Sequence, residues 1–451
     1  MGPDVVESAL GTDDTTPTRR PDRQPFRATS EANAATTVAP LLEGLFGNRL
    51  PLRFEFWDGS GIGPTDGPGS LAIRSPNAIS RMLWAPGELG IARAYVTGEL
   101  EAEGDIFSVL QALHVAARPD LRAGPRPAIL AVRAALQLGV LGLPPAAPAE
   151  EASPRGRRHS KSRDAEVISH HYDISNEFYR LVLGPSMTYS CARFVEPSST
   201  LEAAQQSKHD LVCRKLGLHE QRGGRLLDVG CGWGSLALHA AHHYGTQVVG
   251  ITLSAAQADL AKIRVKEAGL DDQIEIRVQD YRDLRGERFD AISSIGMFEH
   301  VGTERTAEYF ATLYALLGAR GRLLNHAISS VGGSRMPRNS FIGRYVFPDG
   351  ELIDVGQVVL AMERAGFEVR DVESLREHYS RTLRAWVRNL EANWDAAVGE
   401  VGVQRARVWH LYMAASANGF DDGGISIHQV LGVKPAPDGK SGMPATRDAW
   451  V

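Results

Sequence analysis

The stretch LLDVGCGWGSLALHAAHHYGTQVVGITLS, Leu226 to Ser254, constrains this chain more than any other. An apolar run, a glycine-rich turn, a helical pattern and a second apolar run make a strand, turn, helix and strand, the opening unit of a parallel sheet. Gly230, Gly232 and Gly234 let the backbone turn tightly at the strand end and approach a ligand, where the next helix offers unpaired N–H groups. A dinucleotide site would read Gly-x-Gly-x-x-Gly, with an acid closing the second strand. Here the spacing is Gly-x-Gly-x-Gly, and the strand ends in Thr252, Leu253 and Ser254 before a helix carrying Gln257. No lysine follows the glycines as a phosphate-binding loop requires. S-adenosylmethionine, which has no phosphate, is the better candidate.

The alternation continues downstream, where IEIRVQD and FDAISSIGM are further apolar runs separated by helical patterns. It predicts a Rossmann-like α/β domain over residues 165–432, built on a parallel sheet covered on both faces. Upstream, RLPLRFEFWDGSG sets Leu52, Phe54 and Phe56 against Arg53 and Glu55, the period of a half-buried strand closed by an Asp58-Gly59 turn. With helical text such as DIFSVLQALHVAA it predicts a smaller mixed α/β domain over 37–143. Between the two, PPAAPAEEASPRGRRHSKSR is rich in Pro, Ala and charge without periodicity, and reads as a linker over 144–164. Polar composition makes 1–36 a disordered arm and 433–451 a disordered tail.

At 451 residues the chain exceeds a single ordinary domain, and its net charge of −5 argues against nucleic-acid binding. Cys191, Cys213 and Cys231 are odd in number and too widely spaced for a zinc pattern, so no metal is expected and the compartment reads as intracellular. No signal segment is expected, and AILAVRAALQLGVLGLPPAA is broken by Arg133 and Gln137 before it could span a bilayer. Contact with a membrane would therefore be made from the surface. Two stretches are candidates for it. The run RGRRHSKSR, Arg155 to Arg163, either meets anionic head groups or is simply solvated. The helical text from Ala128 turns an apolar face to lipid, to a second subunit or to the core.

Six segments, RLPLRFEFWDGSG, HHYDISNEFYRLVLGPSMTYSCARF, GCGWGSLALHAA, GITLSAAQ, SIGMFEHVG and HYSRTLRAW, occur in an order and spacing that resemble the cyclopropane-fatty-acyl-phospholipid synthase family. The resemblance runs from about Leu50 to Val433. It implies a Rossmann-like class I methyltransferase domain with a helical cap over an acyl tunnel, preceded by a smaller lipid-engaging domain. The implied substrate is a cis-unsaturated phospholipid acyl chain, and S-adenosyl-L-methionine supplies one carbon. The product is a cyclopropane or, through a hydride shift, a methylene branch that a partner reductase turns into a 10-methyl fatty acid. The implied setting is cytoplasmic, peripheral to the inner face of the cell membrane, in a homo-oligomer. A lipid-binding module that kept the fold and lost activity is the reading from another class; the intact site residues speak against it.

By the same resemblance Tyr189, Ser190, Gly230, Gly232, Gly234, Thr252, Leu253, Gln257, Asp280 and Tyr281 form the cofactor shell. A bound bicarbonate is the base, held by Glu299, His326, Tyr379, the backbone of Ile328 and the surroundings of Cys191. The residue types suit it, because histidine, tyrosine and backbone N–H groups donate to an anion while a carboxylate takes up its proton. Tyr172, Phe178, Tyr345 and Phe347 offer ring faces to a cation, with core packing as their other reading. One position departs from the family, which commonly carries a cysteine where this chain has Ser416.

Overall fold

A computed structural model describes residues 33–47, 49–116, 126–152, 158–161, 163–164, 174–220, 223–334, 337 and 339–450. Two sheets organise it. The larger has seven strands in the order β10-β11-β9-β8-β5-β6-β7. Its parallel part is β5 (Arg225–Val229), β6 (Gln247–Thr252), β7 (Ile274–Val278), β8 (Phe289–Ile295) and β9 (Leu317–Ser330). The four apolar runs of the sequence are the first four of these strands. Each is buried nearly end to end except β7 at the sheet edge, as expected of strands covered on both faces.

The sheet is not parallel throughout. β11 (Ile425–Val433) inserts antiparallel between β9 and β10 (Glu368–Ser374). The chain enters β11 by a tight turn from the helix Val403–Asp421, so it runs against its neighbours instead of crossing over.

In the small domain β1 (Arg53–Phe56), β2 (Gly61–Ile62), β3 (Gly69–Ile73) and β4 (Leu100–Gly104) form a sheet in the order β2-β1-β3-β4. Phe54 and Phe56 are buried and Arg53 and Glu55 half-buried, as the alternation predicts, and Gly59 turns the hairpin at φ 81°. The helix Ala34–Phe46, capped by Asn33, begins inside the segment read as a disordered arm.

The small domain does not keep its core to itself. Tyr95, Val96, Ile106 and Phe107 join one apolar cluster with Trp386, Trp409, Tyr412 and Phe420 of the cap helices Arg376–Ala392 and Val403–Asp421. Polar contacts cross the same seam. Tyr95 Oη lies 2.7 Å from His410 Nδ1, and Asn418 donates to the Phe107 carbonyl at 2.9 Å.

Nor is the linker a free spacer where it is described. The Glu151 side chain is 3% exposed and takes two 2.8 Å bonds from Arg93 of the small domain and another from Arg344. Arg158 and Arg163 both pair with Asp349, Lys161 with Asp283, and Asp164 with Arg282. Arg158, Lys161 and Arg163 of the basic run, for which head-group contact and simple solvation were the two readings, are thus engaged within the molecule. Partners nearly two hundred residues away in sequence were invisible to a composition-based reading.

The tail is likewise anchored where disorder was expected. Lys434 bonds the carbonyls of Tyr314 and Leu317, Arg447 pairs with Asp371, and Trp450 is buried.

Candidate active site

The glycine turn forms because β5 ends in Val229 and must reverse within a few residues into the helix Ser235–Tyr244. Gly230 sits at φ 79°, where a side chain costs roughly 1–2 kcal/mol, and an added Cβ would stand 3.2 Å from the Met297 side chain. The N–H groups of Gly230 and Cys231 both bond the Ile251 carbonyl, at 2.9 and 3.0 Å, which ties the turn to β6. Gly230→Ala is expected to weaken S-adenosylmethionine binding about tenfold, because strain and a narrowed wall act together. Gly245→Ala, with positive φ but no neighbour within 4 Å, is the control for strain alone; equal affinities of the two variants in titration calorimetry would refute the narrowing.

An open cavity of about 1140 Å³ lies over the carboxyl ends of β5, β6 and β8, where ligands of open α/β sheets bind. Tyr189, Ser190, Gly230, Gly232, Thr252, Leu253, Gln257, Asp280 and Tyr281 all line it. Gly234 does not; it starts the helix in left-handed conformation, close to Ala261. Thr252 Oγ1 donates to Gln257 Oε1 at 2.9 Å, and Ser254 caps the helix that carries Gln257. The Asp280 carboxylate accepts from the backbone and side chain of Arg282 and is held below the usual carboxylate range by those bonds against the opposing effect of burial. Tyr281 is buried edge-on against Tyr309.

A second cavity, about 1270 Å³ out to its mouth, adjoins the first. Tyr189, Gly296 and His300 line both. Its walls are apolar, from Ile342, Phe347, Leu352, Leu383, Phe420 and Ile425, with Glu299, Ile328, Tyr379, Tyr412 and Ser416 among them.

Glu299 lies in the short helical turn Phe298–His300 after β8. Its Oε1 accepts from the Ile328 N–H at 2.8 Å, its Oε2 is buried without a partner, and burial pushes its carboxyl up to about 7. His326 on β9 bonds Gln429 through Nδ1 at 3.4 Å, has a buried Nε2 without a partner, and is held well below the usual histidine range by burial. It is not among the residues that form the apolar cavity's wall. Cys191 also stands outside the wall, its thiol turned to the Ala192 and Leu375 carbonyls and pushed up by burial, so it stays protonated. That environment disfavours the thiolate that a covalent thiol step would use.

Of the aromatic residues, Phe347 lines the apolar cavity; Phe178 packs against Trp409 in the core, and Tyr345 bonds Glu151. Tyr172 lies outside the described residues. Tyr412 was missed by the sequence reading: its hydroxyl meets that of Tyr189 at 3.2 Å where the cavities join. The spacing that sends Trp409, Tyr412 and Phe420 to one helix face was its one signal. His300, beside the recognised Glu299, was missed too.

Residues 159–430 match the family model described as mycolic acid cyclopropane synthetase. The chain belongs to that family. It is 45% identical over 406 residues to a probable fatty acid methyltransferase of Mycobacterium tuberculosis, covering 87% of this chain and 93% of the relative. Over 420 residues it is 31% identical to a tuberculostearic acid methyltransferase of the same organism, covering 90% and 93%. Among solved structures, the mycolic acid cyclopropane synthase CmaA1 complexed with SAH and CTAB superimposes with a TM-score of 0.56 at 35% identity, over 60% of this chain and 98% of that one. The class I methyltransferase fold and S-adenosylmethionine-dependent methyl transfer to a lipid acyl chain follow for the family member in hand.

Proposed function

We propose that this enzyme transfers one carbon from S-adenosylmethionine to the cis double bond of an unsaturated phospholipid acyl chain and closes a cyclopropane. The observation that carries the reading is the junction of a cavity walled by the glycine turn, hydroxyls and carboxylates with a strongly apolar one at Tyr189, Gly296 and His300, beside the buried carboxyl of Glu299. An alkene is a weak nucleophile, so the apolar walls serve to hold it in line with the sulfonium methyl and to exclude water. The new carbon–carbon bond forms as the carbon–sulfur bond breaks, leaving a cation on the neighbouring chain carbon. Loss of a proton from the added methyl then closes the ring. The rings of Phe347 and Tyr412 are suited to face the cation.

The residues fit a bicarbonate. Glu299 Oε2 and His326 Nε2 are both buried polar atoms without partners, as a missing small polar group would leave them. A bicarbonate bound there would supply the base for the leaving proton. Glu299, ionised above about pH 7, would take up its proton and His326 would hold one of its oxygens. Tyr379 in the same cavity offers a third contact. The Ile328 N–H, already given to Glu299, orients that carboxylate instead of meeting the anion.

The methylene product, reduced by a partner enzyme to a 10-methyl chain, is the second reading. It is favoured by the full-length likeness to the tuberculostearic acid methyltransferase and by Ser416 in the cavity wall. Expression in a host that contains oleoyl phospholipid, followed by lipid mass spectrometry, is expected to give a gain of one carbon with one unit of unsaturation or ring retained. Proton NMR then separates upfield ring protons from vinylidene protons. No mass gain with soluble, cofactor-binding protein refutes both readings.

A peripheral approach to the membrane is part of the proposal. Among the described residues no helix is long and apolar enough to cross a membrane. The helix Arg126–Gln137 packs small residues such as Ala134 and Ala135 inward and turns Ile129, Val132 and Leu136 out to solvent. That inverted face suits a lipid surface next to an enzyme that takes acyl chains. Leu136→Asp is expected to lower binding to anionic phospholipid vesicles about tenfold in sedimentation, with S-adenosylmethionine affinity unchanged. Undiminished sedimentation would refute this surface.

A further inference from the structure

Lysine is almost never fully buried without a countercharge. Lys208, on the helix Leu201–Lys215, is 1% exposed. Its Nζ donates to the Ser190 hydroxyl at 3.0 Å, and among the described residues it makes no ion pair. Lys215, two turns along the same helix and equally buried, shows the ordinary solution: its ammonium meets Asp371 at 2.9 Å and pairs also with Glu373. An ammonium has three N–H donors, and the neutral hydroxyl occupies one of Lys208's. Asp228 attracts it without contact, while burial pulls Lys208 down to about 8. The nearby Cys191 thiol stays neutral and offers no countercharge.

Lys208, Ser190 and Asp228 all stand in the wall of the nucleoside cavity. S-adenosylmethionine carries a single anionic group, the carboxylate of its methionine end, together with an ammonium and a sulfonium. A buried ammonium in the wall attracts the first and repels the other two.

We propose that Lys208 binds the carboxylate of S-adenosylmethionine, with the Ser190 hydroxyl as its neighbour at the same group. The contact fixes which way the co-substrate lies. Its methionine end rests against the helix Leu201–Lys215 and its adenosine end points toward Asp280 and Tyr281. The sulfonium between them then falls at Tyr189, Gly296 and His300, where the acyl cavity begins. The assignment rests on the co-substrate and is independent of which product forms.

The test is titration calorimetry on the full chain with two ligands, S-adenosylmethionine and its decarboxylated analogue, which keeps the sulfonium and the amine and lacks only the carboxylate. The wild-type protein is expected to bind S-adenosylmethionine at least about 30-fold tighter than the analogue, the effect of a desolvated charge pair. Lys208→Met is expected to abolish that preference, by weakening S-adenosylmethionine and leaving the analogue within about twofold of wild type. A variant that merely distorted the pocket would weaken both ligands alike, and that outcome overturns the assignment. Equal affinities in the wild-type protein overturn it without any variant, so the test survives a Lys208→Met protein that does not fold. Wild-type protein that binds neither ligand would instead refute the co-substrate reading itself.

Discussion

Glu299→Gln is expected to lower kcat about a thousandfold while S-adenosylmethionine affinity stays within twofold of wild type. The carboxylate stands in the wall of the apolar cavity, one side bonded to the Ile328 N–H and the other unpaired, and it lies outside the cavity over the glycine turn. Glutamine preserves shape and one acceptor but cannot take up the proton passed on from the proposed bicarbonate, and loss of a group from an acid–base relay costs typically two to four orders of magnitude. The pH profile carries the same information. Burial raises the Glu299 carboxyl from 4.5 to about 7, so the ionised form needed to accept a proton accumulates only as pH rises through that value. Wild-type kcat is therefore expected to climb between about pH 6 and 8, and the residual rate of Glu299→Gln to be flat there. Near-normal turnover in the variant, measured on vesicles of oleoyl phospholipid, would remove Glu299 from the proton path.

Lys215→Met is expected to lower the melting temperature by about 6–10 °C. The Lys215 and Asp371 side chains are 1% and 2% exposed, so both charges are held out of water by each other. Methionine fills the volume but leaves Asp371 buried beside Arg447, a partner 60% exposed and close to the chain end. Breaking one side of such a pair costs about 3 kcal/mol. For a domain of this size that amounts to several degrees. The ion pair bridges the helix Leu201–Lys215 to β10, and the pairing of Arg447 with Asp371 holds the tail to the same strand, with Trp450 buried. A shift under about 2 °C in a calorimetric scan would mean that Arg447 replaces the missing ammonium.

Local pattern carried most of what was legible. The runs that became β5 to β8 were readable because burial on both faces demands unbroken apolar text, and the turn because only glycine tolerates positive φ there without strain. Phe54 and Phe56 alternate with Arg53 and Glu55 for an equally local reason. Glu299, Ile328 and Tyr379, which line the apolar cavity, were singled out by resemblance alone, since taken singly each reads as a cap, a strand residue or an interface aromatic.

What the sequence by itself determined was therefore the α/β class, the glycine turn and the nucleoside without phosphate, because each depends on residues a few positions apart. Tertiary structure alone decided the rest. It turned a polar linker into a strap through Glu151 with Arg93 and Arg344, and it merged the small domain's Tyr95 and Phe107 into the core of the cap. It also laid β11 antiparallel between β9 and β10, and it buried Lys208 on a helix face where its letter reads as solvated. These outcomes hang on partners that are distant along the chain and adjacent only after folding, as Arg163 and Asp349 are, 186 residues apart in sequence and 2.6 Å apart in space. Local periodicity carries no trace of such a partner, so burial of a charge becomes visible only when the partner, or its absence, does.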